Sequence, residues 1–106
     1  MPFGLYPKSY HTITEVFQST PEVEEVIIYG SRAMRNYKKG SDIDLALKGK
    51  NLTADIITKL STQLNQVLPV PYHIDIADYN KIENEDLKKH IDDYGKEFYR
   101  KKCGER

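Results

Sequence analysis

The spacing of apolar residues along the chain predicts three helices. Apolar side chains recur at intervals of three and four residues in 8–19, 52–68 and 86–100, which places them on one face of a helix in each segment. A proline follows each of the first two segments, and Thr53 is a suitable N-cap for the second. Gly95 interrupts the third segment, which we interpret as one last helix.

Three shorter segments predict strands. Residues 26–29 are apolar and β-branched and lead into Gly30, while 42–47 and 72–77 alternate polar and apolar positions. The predicted order is therefore helix, strand, strand, helix, strand, helix. Helices that alternate with short strands favour an α+β (α/β-like) fold, in which a small β-sheet is flanked by helices. A length of 106 residues suits a single domain, residues 1–106.

The overall composition argues against several classes of protein. Lys and Arg together number 16, as do Asp and Glu, so the net charge is zero and a polybasic binder of nucleic acid is not expected. No apolar run approaches the ~20 residues of a membrane span. The first residues lack the pattern of a signal peptide, and a lone cysteine, Cys103, cannot form an internal disulfide. We therefore expect a cytoplasmic protein without a membrane or nucleic-acid partner.

Two carboxylates mark the second predicted strand. Asp42 and Asp44 are two residues apart, so the alternation of a strand directs both to one face, while Ile43 and Leu45 face the core. Two neighbouring carboxylates repel each other unless a cation lies between them. Oxygen ligands of this kind suit Mg²⁺, which commonly shares its coordination shell with substrate phosphates.

The third predicted strand carries a further carboxylate. Asp75 lies between two isoleucines, so it points away from the core that they fill. If this strand lies beside the second one, Asp75 can reach the same site as Asp42 and Asp44. Three carboxylates on adjacent strands are a suitable anchor for two metal ions in a displacement at phosphorus.

Other polar residues near these carboxylates are interpreted as structural. Asp78 has a different strand parity from Asp75, and we expect it to serve in a turn or as a cap. His73 shares a face with Asp75, yet we interpret it as a surface or partly packed residue. His11 and His90 are interpreted as exposed residues of their helices.

A glycine turn closes the first predicted strand. At Gly30-Ser31 the backbone can approach a phosphate closely, the serine hydroxyl can add a hydrogen bond, and the amides beyond can bind an anion. Between this turn and Asp42 lie four cationic residues and no acid, namely Arg32, Arg35, Lys38 and Lys39. A cationic segment next to carboxylates suits a metal-bound triphosphate, because both the anion and its cation find partners there.

Together these motifs resemble one known superfamily. Gly30-Ser31, ten further residues and Asp42-Ile43-Asp44 match the G-S-x10-D-x-D signature of the DNA polymerase β-like nucleotidyltransferases. The flanking residues, the acid at Asp75 and the stretch 87–99 resemble the minimal nucleotidyltransferases (MNT) of that superfamily. The resemblance covers most of the chain. It departs from many relatives at Arg35, where they have glycine.

The resemblance implies a mixed sheet flanked by helices and the transfer of a nucleoside monophosphate from ATP or another NTP to a hydroxyl. It implies that Asp42, Asp44 and Asp75 are the catalytic and metal-binding residues for two Mg²⁺ ions, and that Asp75 helps to deprotonate the acceptor. The residues implied to bind the triphosphate are Gly30, Ser31, Arg32 and Ser41. For MntA-type antitoxins of HEPN–MNT toxin–antitoxin modules, it implies a hetero-oligomer with a HEPN-domain ribonuclease toxin, one of whose tyrosines becomes adenylylated.

Three functions remain open from the sequence. The first is an active nucleotidyltransferase that acts as an antitoxin on a protein acceptor. The second is a non-catalytic subunit that neutralises a HEPN partner by contact alone. The third is a small-molecule nucleotidyltransferase of the aminoglycoside-modifying kind, completed by a partner subunit. We expect a protein acceptor, because 106 residues hold a nucleotide-transfer core without a separate acceptor-binding domain.

Overall fold

The computed structural model describes residues 5, 7–30, 42–67 and 72–101. Helices and strands follow one another in these ranges as α1 (Pro7–Gln18), β1 (Glu25–Tyr29), β2 (Ile43–Lys48), α2 (Ala54–Thr62), β3 (Ile74–Asp78), α3 (Glu85–Tyr94) and β4 (Lys96–Arg100). A π-helical turn, Gln63–Val67, continues α2, and a 3₁₀ turn, Tyr79–Lys81, follows β3. In the described ranges, none of the helices combines the length and apolar character that crossing a membrane requires.

The strands form one mixed sheet in the order β3-β2-β1-β4. Strand β1 is antiparallel to both β2 and β4, while β2 and β3 are parallel. A parallel pair needs a crossover connection, and here the crossover runs through α2 and the π-helical turn. The small mixed sheet flanked by helices confirms the fold class predicted from the sequence.

The hydrophobic core lies between one face of the sheet and helices α1 and α2. The largest fully buried side chains of this core include Ile13, Phe17, Ile28, Ile43, Leu45, Leu47, Leu64 and Ile74. Strand β4 is tied to α1 by Tyr10, whose hydroxyl donates to the Phe98 carbonyl at 3.0 Å and whose ring meets the Phe98 ring edge-on at 4.9 Å. The edge strand β4 is therefore fixed by a helix as well as by its ladder with β1.

Helix α3 packs on the opposite face of the sheet, against β1. Val26 and Ile28 are buried in the core, so alternation turns Ile27 to the other face. A Cβ at Gly95 would lie 2.4 Å from Cγ2 of Ile27, so the end of α3 approaches the sheet as closely as glycine permits. One turn earlier, Ile91 is buried. The carboxylates of the sheet thus share a face with α3 and not with the main core.

Two caps predicted from the sequence are confirmed. The Thr53 hydroxyl accepts a hydrogen bond from the Ile56 amide at 3.2 Å and begins α2. The Asp78 carboxylate accepts from the Asn80 amide at 3.1 Å and begins the 3₁₀ turn. Both side chains satisfy amides that the helix itself leaves without a partner.

The prediction of one helix over 86–100 is wrong. Helix α3 ends at Tyr94, and the chain then forms β4. Phe98 stands at helical spacing from the apolar residues of α3, but it belongs to the core on the other side of the sheet. The ladder with β1 shifts register between Val26 and Ile27, and this bulge accommodates Phe98 as an extra residue of β4.

Candidate active site

The strand register places Asp44 between Tyr29 and Asp75 on the sheet face opposite the main core. Asp44 pairs with Tyr29 of the antiparallel strand β1 and with Asp75 of the parallel strand β3. Its neighbours in β2, Ile43 and Leu45, are fully buried, so alternation turns the carboxylate away from the core. The structure therefore brings together two of the three acids singled out by the sequence.

Asp42, the third acid, lies directly before β2 and is exposed. The Ile43 amide donates to the His73 carbonyl at 2.9 Å, so the β2–β3 ladder reaches the residue next to Asp42. The charge of Asp42 contributes to the raised pKa of Asp44, as does that of Asp75. All three carboxylates thus lie at the same end of the β2–β3 pair.

The electrostatics of this end of the sheet disfavour further negative charge. The pKa of Asp44 is raised, first because the carboxyl is partly buried and then because Asp75 and Asp42 repel its charge. Burial also raises the pKa of the Tyr29 hydroxyl, and the charges of Asp44 and Asp75 add to that effect. A cation bound among these groups would remove the repulsion.

The glycine turn contacts Asp44 directly. Gly30 follows β1 with a φ of 78°, in the left-handed region that favours glycine. A Cβ at this position would lie 2.6 Å from Oδ2 of Asp44, so the space that the missing side chain leaves is taken by the carboxylate. The turn interpreted from the sequence as a phosphate-binding element is therefore packed against one of the acids.

Asp75 is fixed through the backbone of β3 and leaves its carboxylate accessible. Asn65 of the π-helical turn accepts from the Ile74 amide at 2.8 Å and donates to the Ile74 carbonyl at 2.8 Å. Oδ1 of Asp75 lies 3.2 Å from Nε2 of His73, and both side chains are exposed. The strand is thus held at residue 74, while the adjacent carboxylate faces solvent with one polar neighbour.

His90 of α3 belongs to this site, although its sequence pattern predicts an exposed helix residue. Its Nε2 accepts a hydrogen bond from the Gly30 amide at 3.3 Å. The imidazole ring lies edge-on to Tyr29 at 6.2 Å and tilted against Tyr94 at 5.4 Å. Sixty residues separate the two hydrogen-bonded partners, so no local sequence pattern could have indicated this contact.

The chemistry of the donor set suits a divalent cation. Asp44 and Asp75, which are paired in the β2–β3 ladder, offer only oxygen ligands, and the packing against Gly30 holds Asp44 in place. Among the described residues, no three His, Cys, Asp or Glu side chains form a group that could hold a metal ion by themselves. Mg²⁺ commonly binds through one or two carboxylates together with waters and substrate phosphates. These residues therefore fit a Mg²⁺ ion whose coordination a phosphate substrate completes.

Part of the predicted phosphate-binding set lies outside the described residues. Gly30 is described, and it lies against Asp44 and His90. The predicted residues outside the described ranges are Ser31, Arg32 and Ser41, together with Arg35, Lys38 and Lys39 of the cationic segment.

Comparison with known families identifies the domain. The family described as polymerase beta, nucleotidyltransferase, matches residues 11–103. This match spans all four strands of the sheet and includes Gly30, Asp42, Asp44 and Asp75. A comparison with curated proteins finds no match.

Solved structures with the same fold include chains of toxin–antitoxin complexes. A chain of the MntA–HepT complex superposes with a TM-score of 0.67 at 17% identity, over 91% of this chain and 74% of that one. A toxin–antitoxin complex with AMP-PNP gives 0.67 at 18% identity, over 89% and 73%. The complex of tri-AMPylated Shewanella oneidensis HEPN toxin with MNT antitoxin gives 0.65 at 18% identity, over 89% and 71%. These similarities establish a shared fold.

Proposed function

Because this chain belongs to the polymerase beta nucleotidyltransferase family, we propose that it transfers AMP from ATP to a hydroxyl group. The proposed acceptor is a tyrosine of a HEPN-domain toxin, and the chain acts as the antitoxin in a hetero-oligomer with that toxin. The nucleotide specificity, the acceptor and the partner are all parts of this proposal.

One observation carries the catalytic part of the proposal. Asp44 and Asp75 are in register on adjacent strands, and Gly30 packs against the first of them. Carboxylates can bind the metal of a metal–triphosphate complex, and a glycine beside them allows the phosphates to approach the backbone closely. The charges of Asp42 and Asp75 both contribute to the raised pKa of Asp44, and a bound cation would relieve this repulsion.

The proposed reaction assigns a role to each residue. The acceptor oxygen attacks the α-phosphorus of ATP, a new P–O bond forms, and the bond to the bridging oxygen breaks to release pyrophosphate. Asp75, whose carboxylate is exposed, takes the proton of the acceptor hydroxyl. Together with the phosphates, Asp42, Asp44 and Asp75 would hold two Mg²⁺ ions, which would supply positive charge to the phosphates when bound. The residues proposed to bind the triphosphate are Gly30, Ser31, Arg32 and Ser41.

Support for the partner comes from the structures that share the fold. They include a complex of a HEPN toxin with an MNT antitoxin in which the toxin is tri-AMPylated, and a toxin–antitoxin complex with AMP-PNP. A shared fold alone does not determine a function. The proposal of this partner therefore rests on the similarity together with the carboxylate site. A HEPN-domain protein encoded beside this chain is the partner to test first.

The test is nucleotide transfer in solution. The purified chain is incubated with that HEPN-domain protein, Mg²⁺ and each of the four NTPs labelled at the α-phosphate. We expect label from ATP on a tyrosine of the partner, and loss of transfer in EDTA. Loss of a residue that only hydrogen-bonds to a metal ligand lowers activity by about 10- to 100-fold. Asp44→Asn and Asp75→Asn replace the proposed ligands themselves, so each should lower the rate by more than this.

A matched acid elsewhere controls for loss of charge. Asp93 is an exposed residue of α3 that pairs with Lys89 at 3.1 Å, so Asp93→Asn should leave the rate unchanged. A stable complex in which the wild-type chain neutralises the toxin without transferring label would contradict the enzymatic proposal and favour neutralisation by contact. Transfer to an aminoglycoside but not to the partner would favour the small-molecule alternative.

A further inference from the structure

The amide of the glycine turn already has a partner within the protein. The Gly30 N–H points toward α3 and donates to Nε2 of His90 at 3.3 Å. Its own amide is therefore not a free donor in this structure, although the turn stands beside the carboxylates. The proposed role of Gly30 at the phosphates is therefore the close approach that a residue without a side chain allows.

His90 is well suited to hold this amide. Its ring is confined by Tyr29 of β1 and by Tyr94 on the next turn of its own helix, with centroids 6.2 and 5.4 Å away. Helix α3 is in turn held against β1 at Gly95. Because Nε2 accepts the hydrogen bond, a neutral ring carries its proton on Nδ1. Packing of the ring and of helix α3 thus holds the acceptor atom, Nε2 of His90, in place.

Gly30 is consequently fixed from two directions. The Asp44 carboxylate fills the space where a Cβ would be, and His90 holds the amide. The chain then continues into the segment that carries Arg32 and the other cationic residues. The orientation of Gly30 relative to the Asp44 carboxylate therefore depends on both of these contacts.

We infer that His90 is a positioning residue for nucleotide binding: it orients Gly30 relative to Asp44. The inference rests on the proposed function, because it assumes that a triphosphate binds at this turn. His90 need not touch the nucleotide in this role. Its contribution should therefore depend on the reach and the acceptor character of the side chain.

Two substitutions separate these properties. In Gln, Oε1 is as many bonds from Cβ as Nε2 is in His, so His90→Gln retains an acceptor that reaches the Gly30 amide. In Asn, the oxygen is one bond closer to Cβ, so His90→Asn retains polarity but not reach. His11→Asn is the matched control, because His11 is an exposed histidine of α1 that contacts only Glu15 among the described ion pairs.

The first measurement is the affinity for a fluorescent ATP analogue in the presence of Mg²⁺. His90→Asn should weaken binding by about 2- to 12-fold, the range that corresponds to one hydrogen bond. His90→Gln should bind within about twofold of the wild type, as should His11→Asn. Thermal unfolding of each variant is measured alongside, because a loss of affinity that follows the melting temperature and is not restored by glutamine would indicate a structural role only and overturn the inference.

The second measurement needs no substitution. In the ¹⁵N-labelled wild type, long-range ¹H–¹⁵N correlations should show His90 with an unprotonated Nε2 and a protonated Nδ1 at pH 8, and a hydrogen-bonded amide at Gly30. A protonated Nε2 would overturn the inference. If the wild type binds the analogue and His90→Asn binds it equally well, the inference fails and the proposed function stands. If the wild type binds no nucleotide, both fail.

Discussion

Replacing Gly30 by alanine tests the contact between the glycine turn and Asp44. Gly30 has a φ of 78°, where an L-residue is disfavoured by roughly 1–2 kcal/mol. The added Cβ would lie 2.6 Å from Oδ2 of Asp44, which is closer than real Cβ contacts, so the carboxylate must rotate. We therefore expect Gly30→Ala to lower the stability of the fold and to displace an acid of the site at the same time.

Three contributions set the magnitude. The backbone strain of about 1–2 kcal/mol is offset by about 0.4–1 kcal/mol, because alanine reduces the entropy of the unfolded chain. Rotation of Asp44 away from its preferred geometry adds about 0.5–1.5 kcal/mol. The net loss is on the order of 2 kcal/mol, which corresponds to a fall of about 1 M in the urea midpoint for a domain of this size. A domain with about 5–15 kcal/mol of stability remains folded after such a loss.

A double-mutant cycle separates the contact from the strain. Urea unfolding, followed by circular dichroism, is measured for the wild type, Gly30→Ala, Asp44→Ala and the double variant. Without the carboxylate, the nearest atom that Asp44→Ala retains is its Cβ, at an ordinary 3.8 Å from the added methyl. In that background Gly30→Ala should cost only its backbone contribution, so the coupling between the two sites should be about 0.5–1.5 kcal/mol.

Two results would refute this reasoning. A coupling below about 0.3 kcal/mol, within the ordinary error of additivity, would mean that the carboxylate does not fill the space beside Gly30. If Gly30→Ala lowers the stability of neither the wild type nor Asp44→Ala, the turn does not need a residue with a left-handed backbone conformation. Either result would remove the packing argument for a fixed position of Asp44.

Three further predictions concern stability. Burial and the neighbouring carboxylates raise the pKa of Asp44 in the folded chain. Ionisation of this carboxyl therefore destabilises the folded chain as the pH rises from the unfolded-state pKa of about 3.9 through the folded-state pKa. Without Mg²⁺, Asp44→Asn should therefore melt at a higher temperature than the wild type at pH 7 but not at pH 3, and a difference independent of pH would contradict this. Asn65→Asp keeps the acceptor for the Ile74 amide but faces the Ile74 carbonyl with a second acceptor, so it should cost about 1–3 kcal/mol in urea unfolding, whereas a neutral result would exclude the two-point contact. Tyr10→Phe removes the hydrogen bond to the Phe98 carbonyl and should cost about 1 kcal/mol in the same assay, with an unchanged midpoint as the contrary outcome.

The sequence predicts the parts of the site that depend on local pattern. Alternation in 42–47 and 72–77 specifies which residues face the core, whereas the parallel pairing of β2 with β3 is seen only in the structure. Glycine at the end of β1 indicates a turn, because glycine adopts the backbone conformations of tight turns more readily than other residues do. Local pattern therefore predicts that Asp44 and Asp75 both point away from the core, and the neighbouring position of their strands in the structure brings them together.

Contacts between distant segments determine the parts that local pattern does not predict. Phe98 has helical spacing from the apolar side of α3, but in the structure it is buried against α1 as part of a strand paired with β1. Gly95 marks the boundary, but an interruption within a helix and the end of a helix look the same in the sequence. His90 likewise gains its role from Gly30, and a histidine on the polar side of an amphipathic helix carries no local signal of such a partner.

The alternation of buried and exposed side chains in β3 also favours one register of its pairing with β2 during folding. A slip of β3 by one residue would bury the Asp75 carboxylate and expose Ile74, since successive side chains of a strand face opposite sides. An unpaired buried carboxylate costs several kcal/mol, and the exposed isoleucine loses roughly a further 1.5–3 kcal/mol. Chains with the shifted register should therefore be unstable, and they should unfold and refold instead of persisting as folded but inactive molecules. Nearly every molecule that reaches the folded state should then carry the same arrangement of acids.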